Sequence, residues 1–184
     1  ASTSGAKVIL ADEQSEFGGG LLSDPNSKID GEDSWAWLAF ALKTLAERDN
    51  VTLLARTTAI GYYHQNFLGL VERLSDHMAS PHPDGPRERM WRIRAGQVVL
   101  AAGAIERPLV FSGNDRPGIM LAGAARTYLN RYGVNVGNRP SVVTSHDSAY
   151  LAAVDLAASG LGVGAIIDVR KEISPELLDR ADKL

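Results

Sequence analysis

The chain has 184 residues, 45% hydrophobic and 22% charged, and its 19 basic and 22 acidic side chains leave a formal net charge of −3. So weak and mixed a charge excludes nucleic acid or an anionic membrane surface as the expected partner. The lack of cysteine excludes disulfides, thiolate metal sites and dithiol redox chemistry. No run of about 18 apolar residues is present to span a bilayer, and Ala1-Ser2-Thr3-Ser4-Gly5 reads as a last helical turn closing on glycine, not as a signal peptide. A cytoplasmic location is the resulting expectation.

In chain order, Val8-Ile9-Leu10-Ala11 is a short apolar run of the kind covered on both faces of a parallel sheet. A helix follows between Asp30 and Asn50, with Ser34 as N-cap and Trp35, Leu38, Leu42, Leu45 and Ala46 at helical spacing. Val51–Leu54 is the next buried strand. Thr58–Tyr63, Phe67–Leu74 and Arg87–Arg94 have the character of an antiparallel meander, broken by the turn signal Ser80-Pro81-His82-Pro83-Asp84-Gly85-Pro86. Gln97-Val98-Val99-Leu100-Ala101-Ala102-Gly103-Ala104 predicts a further buried strand ending in small residues. Beyond Ser112-Gly113-Asn114-Asp115-Arg116-Pro117-Gly118, a helix is predicted from about Ile119 to Tyr132, closed by Gly133. A strand over Pro140–Ser145, a helix capped by Asp147 or Ser148 and a strand over Val163–Val169 form a second strand–helix–strand unit. Ser174 with Pro175 starts a last short helix.

The pattern predicts an α/β chain: an incomplete Rossmann-like, FAD/NAD(P)-binding fold over residues 1–112 with a β-meander at about 57–96, then the start of a second nucleotide-fold domain over 113–184. Asp12 and Glu13 follow the first strand, and Gly18-Gly19-Gly20 follow them. A carboxylate at that strand tip can accept hydrogen bonds from an adenosine ribose, and backbone without Cβ atoms can approach a nucleotide. The glycine loop of such a unit belongs about 20 residues earlier, so the chain reads as an internal piece of a larger subunit. Without that loop's strand at the centre of the sheet, buried-type strands keep open edges. Those edges are expected to be met by rearrangement, by self-association through strand exchange, or by partial disorder.

In the second unit, Thr144 and His146 stand where the first two fingerprint glycines belong, before Asp147-Ser148-Ala149. A β-branched residue and an imidazole obstruct the turn and the pyrophosphate, which predicts a vestigial site. His64, His77 and His82 lack metal-ligand spacing, Trp35, Trp37 and Trp91 read as packing residues, and no catalytic constellation or metal site is expected.

The blocks Lys7–Gly20, Gln97–Ala104, Asp115-Arg116-Pro117-Gly118-Ile119-Met120-Leu121-Ala122 and Ala124-Ala125-Arg126-Thr127-Tyr128-Leu129-Asn130-Arg131-Tyr132-Gly133-Val134 together resemble the alpha subunits of heterotetrameric sarcosine oxidases. The last two blocks are much more specific than the dinucleotide signals. The Val98–Ala104 segment is similar to the superfamily's Ala-Thr-Gly-Ala strand, with Ala102 in the place of Thr. The resemblance implies a complex that oxidatively demethylates sarcosine to glycine, producing hydrogen peroxide and a one-carbon unit that is passed to tetrahydrofolate or released as formaldehyde. It implies NAD in this subunit, with FAD and FMN elsewhere in the complex, and other subunits as partners. Carried over by position, Asp12, Glu13, Gly18, Gly19, Gly20, Ala102 and Gly103 are NAD-proximal, with Thr58 and Ala59 against adenine.

The runner-up is the large subunit of an opine or proline dehydrogenase, or of hydrogen cyanide synthase, which the same architecture would serve. A thioredoxin-reductase-like enzyme is opposed by the missing cysteines and the altered second glycine loop. A different class of reading is an assembly module that binds no nucleotide.

Overall fold

The computed structural model describes residues 1–184. They divide into two units, Ala1–Gly19 with Asn26–Gly103, and Gly20–Pro25 with Ala104–Leu184.

The first unit is built on two apolar runs too short to bury themselves. Strand β1 (Val8–Ala11) is followed by the two-residue strands β2 (Lys28–Ile29) and β3 (Glu32–Asp33), helix α1 (Ser34–Ala46) and strand β4 (Val51–Leu54). β1 and β4 pair in parallel with Val8 opposite Val51 and Ala11 opposite Leu54. α1 makes the crossover that a parallel pair requires. Asp30 (φ 51°) and Gly31 (φ 86°) turn the β2–β3 hairpin, both with the positive φ that a tight two-residue hairpin turn needs. The helix starts one residue earlier than Ser34 as cap implies. Asp33 is the N-cap and accepts from the Ala36 N–H at 2.8 Å, whereas Ser34 is buried and shares a hydrogen bond with Ser27.

Arg56, at φ 53°, turns the chain from β4 into β5 (Thr57–Tyr63), followed by β6 (Phe67–Arg73) and β7 (Glu88–Arg94). These three form the expected antiparallel meander in the order β5-β6-β7. Leu54, Thr57 and Leu70 are buried in this unit. Trp91 is half-buried, donating from Nε1 to Glu72 at 2.8 Å with the Arg89 guanidinium over its ring. Trp35 and Trp37, by contrast, keep 44% and 39% of their surface exposed, so they are not the packed residues their spacing suggested.

The strand expected over 97–104 is not formed, and Val99 and Leu100 are 88% and 72% exposed. An apolar run becomes a strand only when a neighbour offers it a backbone ladder. The composition of the run does not encode that neighbour.

The second unit holds α2 (Ala122–Tyr132), β8 (Ser141–Thr144), α3 (Ser148–Ala158), β9 (Ala165–Asp168) and α4 (Pro175–Ala181). Gly133, at φ 65°, ends α2: its N–H donates to the Leu129 carbonyl and the Val134 N–H to that of Tyr128. That left-handed cap is one a Cβ disfavours. β8 and β9 pair in parallel, Ser141 opposite Ala165 and Thr144 opposite Asp168, with α3 as the crossover. Val142, Ala149 and Ala153 form the buried core, packed by Ala122, Val163 and Ile166. Residues 20–25 are held to α2 by Asn130, which donates to the Ser23 carbonyl at 2.9 Å, and by Arg126, which pairs with Asp24 at 3.2 Å and Asp155 at 2.6 Å. α4 starts as its sequence implies, with Ser174 as N-cap and Pro175 in the first turn. No helix is long and apolar enough to cross a membrane.

Candidate functional site

Parallel pairing brings the end of β1 beside the end of β4, so the residue after β1 meets the β4–β5 turn. That residue is Asp12. Its N–H donates to the Leu54 carbonyl at 2.9 Å, and its own carbonyl accepts from the Thr57 N–H at 2.8 Å. The half-buried Asp12 side chain folds back, and Oδ1 accepts from the Gln14 N–H at 2.9 Å. The Arg56 N–H donates to the Gln14 carbonyl at 2.7 Å, and Arg73 Nη2 donates to the Glu13 carbonyl, also at 2.7 Å. The 12–14 turn is thereby fixed from two sides, with one carboxylate oxygen of Asp12 engaged by its own turn. Arg73 was not legible as a participant, since nothing in its neighbourhood marks it off from the other meander arginines.

Of the residues carried over from sequence, Asp12 meets the start of β5 through the N–H of Thr57, the residue before Thr58 and Ala59. Thr58 is half-buried and Ala59 exposed, and they pair with Val71 and Leu70 just before an irregularity in β5. Gly18 (φ 140°) and Gly19 (φ 52°) continue the chain in glycine-favouring conformations. A Cβ at Gly19 or Gly20 would meet nothing within 4 Å, so neither glycine is there for packing. Gly20 belongs to the second unit. Ala102 and Gly103 lie on exposed chain without secondary structure, and no hydrogen bond links them to the Asp12 turn. At the far end of β5, Tyr62–Asn66 line an open groove on the hairpin tip, closed on itself by the Tyr62 hydroxyl donating to Asn66 at 2.7 Å. No group of three or more His, Asp or Glu side chains is placed to hold a metal ion.

The second unit has its own strand-tip acid, one that sequence reading passed over. Asp168 ends β9 with its side chain only 2% exposed. It accepts from Arg170 Nη2 at 2.7 Å, from Arg170 Nε and N–H at 3.0 Å each, and from the Tyr150 hydroxyl at 3.0 Å. Arg170 Nη1 reaches on to Asp147 at 2.6 Å. These bonds from Arg170 hold the Asp168 carboxyl well below the usual carboxylate range against the opposing effect of burial. Burial, reinforced by the Asp168 charge, pushes the Tyr150 phenol up. The signal that could have marked this cluster was an Asp-x-Arg sequence closing an apolar strand. In the turn before α3, Thr144 Oγ1 accepts from the His146 N–H at 2.9 Å, and His146 Nδ1 accepts from the Ser148 N–H at 3.2 Å.

Two strand–helix–strand units with parallel strand pairs, one of them carrying an antiparallel meander, define a mixed α/β chain of Rossmann-like arrangement. A solved structure of L-proline dehydrogenase from P. horikoshii shares this fold, with a TM-score of 0.70 and 23% identity over 92% of this chain and 32% of its own. By sequence, the chain is homologous to part of the sarcosine oxidase alpha subunit. It is 52% identical over 175 residues to that subunit from Corynebacterium sp. (strain P-1), covering 95% of this chain and 18% of the subunit. It is 50% identical over 170 residues to the Rhizobium meliloti (strain 1021) subunit, covering 92% of this chain and 17% of that one. An opine oxidase subunit of Agrobacterium tumefaciens (strain Ach5) is 28% identical over 180 residues, 91% of this chain and 33% of its own length. The chain therefore spans less than a fifth of the sarcosine oxidase alpha subunits it matches. No family model matches it.

Proposed function

We propose that the first unit is the NAD-binding segment, without a bond-making residue of its own, of a sarcosine oxidase alpha-type subunit. The observation that carries the NAD reading is Asp12: a half-buried carboxylate at a parallel strand tip, its main chain locked to the β4–β5 turn, with one oxygen on its own turn. Such a group is placed to accept from the two hydroxyls of an adenosine ribose, and Thr58 and Ala59, which follow the Thr57 bound to the Asp12 carbonyl, are proposed to face the base. The open space around Gly19 suits a backbone that a ligand approaches. Glu13, Gly18, Ala102 and Gly103 complete the proposed set within the first unit.

On this reading the chain works with other subunits in a cytoplasmic complex that also contains FAD and FMN, neither of them bound by this segment alone. That complex oxidises sarcosine to glycine with formation of hydrogen peroxide and transfer of the one-carbon unit to tetrahydrofolate. The opine oxidase and proline dehydrogenase relatives support a second substrate class on the same scaffold. The two separate when the complex that copurifies with this chain is assayed with sarcosine, proline and an opine, both for peroxide and for reduction of an artificial electron acceptor. Turnover confined to sarcosine is expected. Preference for either of the other amines would assign the chain to the runner-up class. The exposed run 97–104 favours an assembly role instead only if no nucleotide binds.

A further inference from the structure

A strand–helix–strand unit takes a dinucleotide through three features. Glycines at the strand–helix turn admit the pyrophosphate, free amides at the helix start bind it, and a carboxylate at the second strand's tip holds the ribose. In β8–α3–β9 the chain itself engages all three. Thr144 fills the first glycine place and ties its hydroxyl into the turn, accepting from the His146 N–H at 2.9 Å and donating to the His146 carbonyl at 2.8 Å. His146, in the second place, turns its ring onto the helix start, where Nδ1 accepts from the Ser148 N–H at 3.2 Å and meets the Ser148 hydroxyl at 3.1 Å. The strand-tip carboxylate, Asp168, is consumed by Arg170 and Tyr150.

An arginine just past a strand-tip acid is also the residue type that can receive an adenosine 2′-phosphate. Here Nε and Nη2 of Arg170 are bonded to Asp168, and Nη1 to Asp147. A phosphate arriving at this guanidinium would meet two carboxylates already in place, a like-charge contact. We propose that the β8–α3 turn is closed by the chain's own side chains. In this arrangement Arg170 is a clasp between the tip of β9 and the start of α3, and the turn takes neither NAD nor NADP. This assignment stands whether or not the first unit binds NAD.

The test is amide hydrogen exchange on the full chain, alone and with NAD or NADP in excess. No protection over residues 144–150 and 165–170 is expected with either nucleotide. Protection there would overturn the closed-turn assignment. Exchange over residues 8–20 reports separately on the site proposed in the first unit. In Arg170→Met, the amides of 146–150 and 168–170 are expected to exchange about tenfold faster or more, as when a buried ion pair loses one partner. Unchanged exchange would overturn the clasp. Should that variant not fold, Asp147→Asn removes only the more exposed half of the clasp. It is expected to speed exchange in the same segment by a smaller factor, and no change there would also overturn the proposal.

Discussion

Replacing Asp168 by Asn keeps the shape of the strand tip and removes its charge. The carboxylate accepts from Arg170 through Nε at 3.0 Å and Nη2 at 2.7 Å, and from Tyr150 at 3.0 Å. An amide offers a single acceptor oxygen and turns an NH2 toward the guanidinium or the phenol. Two charge-assisted bonds are lost or inverted, each contributing about 1.5–3 kcal/mol. Arg170 is 29% exposed and keeps Asp147, so water and the second carboxylate recover part of the loss. The net cost should be about 2 kcal/mol at neutral pH, a fall in midpoint of about 8 °C or more for a unit of this size. The loss should depend on pH, because the folded state holds the Asp168 carboxyl below its ordinary range. A depressed carboxyl stabilises the fold above the unfolded value, about 3.9, and that contribution is lost as pH falls toward the folded one. The gap between the native chain and Asp168→Asn should therefore narrow by about 1 kcal/mol between about pH 5 and pH 3. Urea unfolding at both pH values measures it. A gap below about 0.5 kcal/mol at neutral pH, or one that stays constant into acid, would refute the reasoning.

Leu156, 2% exposed, is among the largest fully buried side chains, and Leu156→Ala should cost about 3 kcal/mol by urea unfolding. A cost under about 1 kcal/mol would mean that the second unit lacks a close-packed core. Gly133→Ala places a Cβ at φ 65° in the cap of α2 and should cost about 1 kcal/mol in the same assay, with the loss localised to α2 by hydrogen exchange.

Where a segment carries its own reason to fold, the sequence named it closely. Val51–Leu54, Gly133 after α2, and Ser174 with Pro175 all stand where their chemistry put them. The β2–β3 hairpin was missed although Asp30-Gly31 is a strong turn signal, because its flanking strands are two residues long and show no alternation. The run at 97–104 was misread for the opposite reason: its composition is strand-like, but strand formation depends on a neighbour. The site divides the same way. Asp12 was legible from its place after an apolar run, and parallel pairing brings the Thr57 N–H onto its carbonyl. Of the clasp at Asp168, only the Asp168-Val169-Arg170 sequence is a local signal; Tyr150 and Asp147 come from a helix and a turn that only the folded register assembles.

Calorimetric titration of the purified chain with NAD, alongside Asp12→Ala, tests the central claim most directly. The account predicts saturable binding by the native chain that disappears in the variant, with hydrogen-exchange protection confined to the β1 tip and the start of β5. Heat of binding that survives Asp12→Ala, or no heat from the native chain at any NAD concentration, would contradict it and leave the first unit as scaffold.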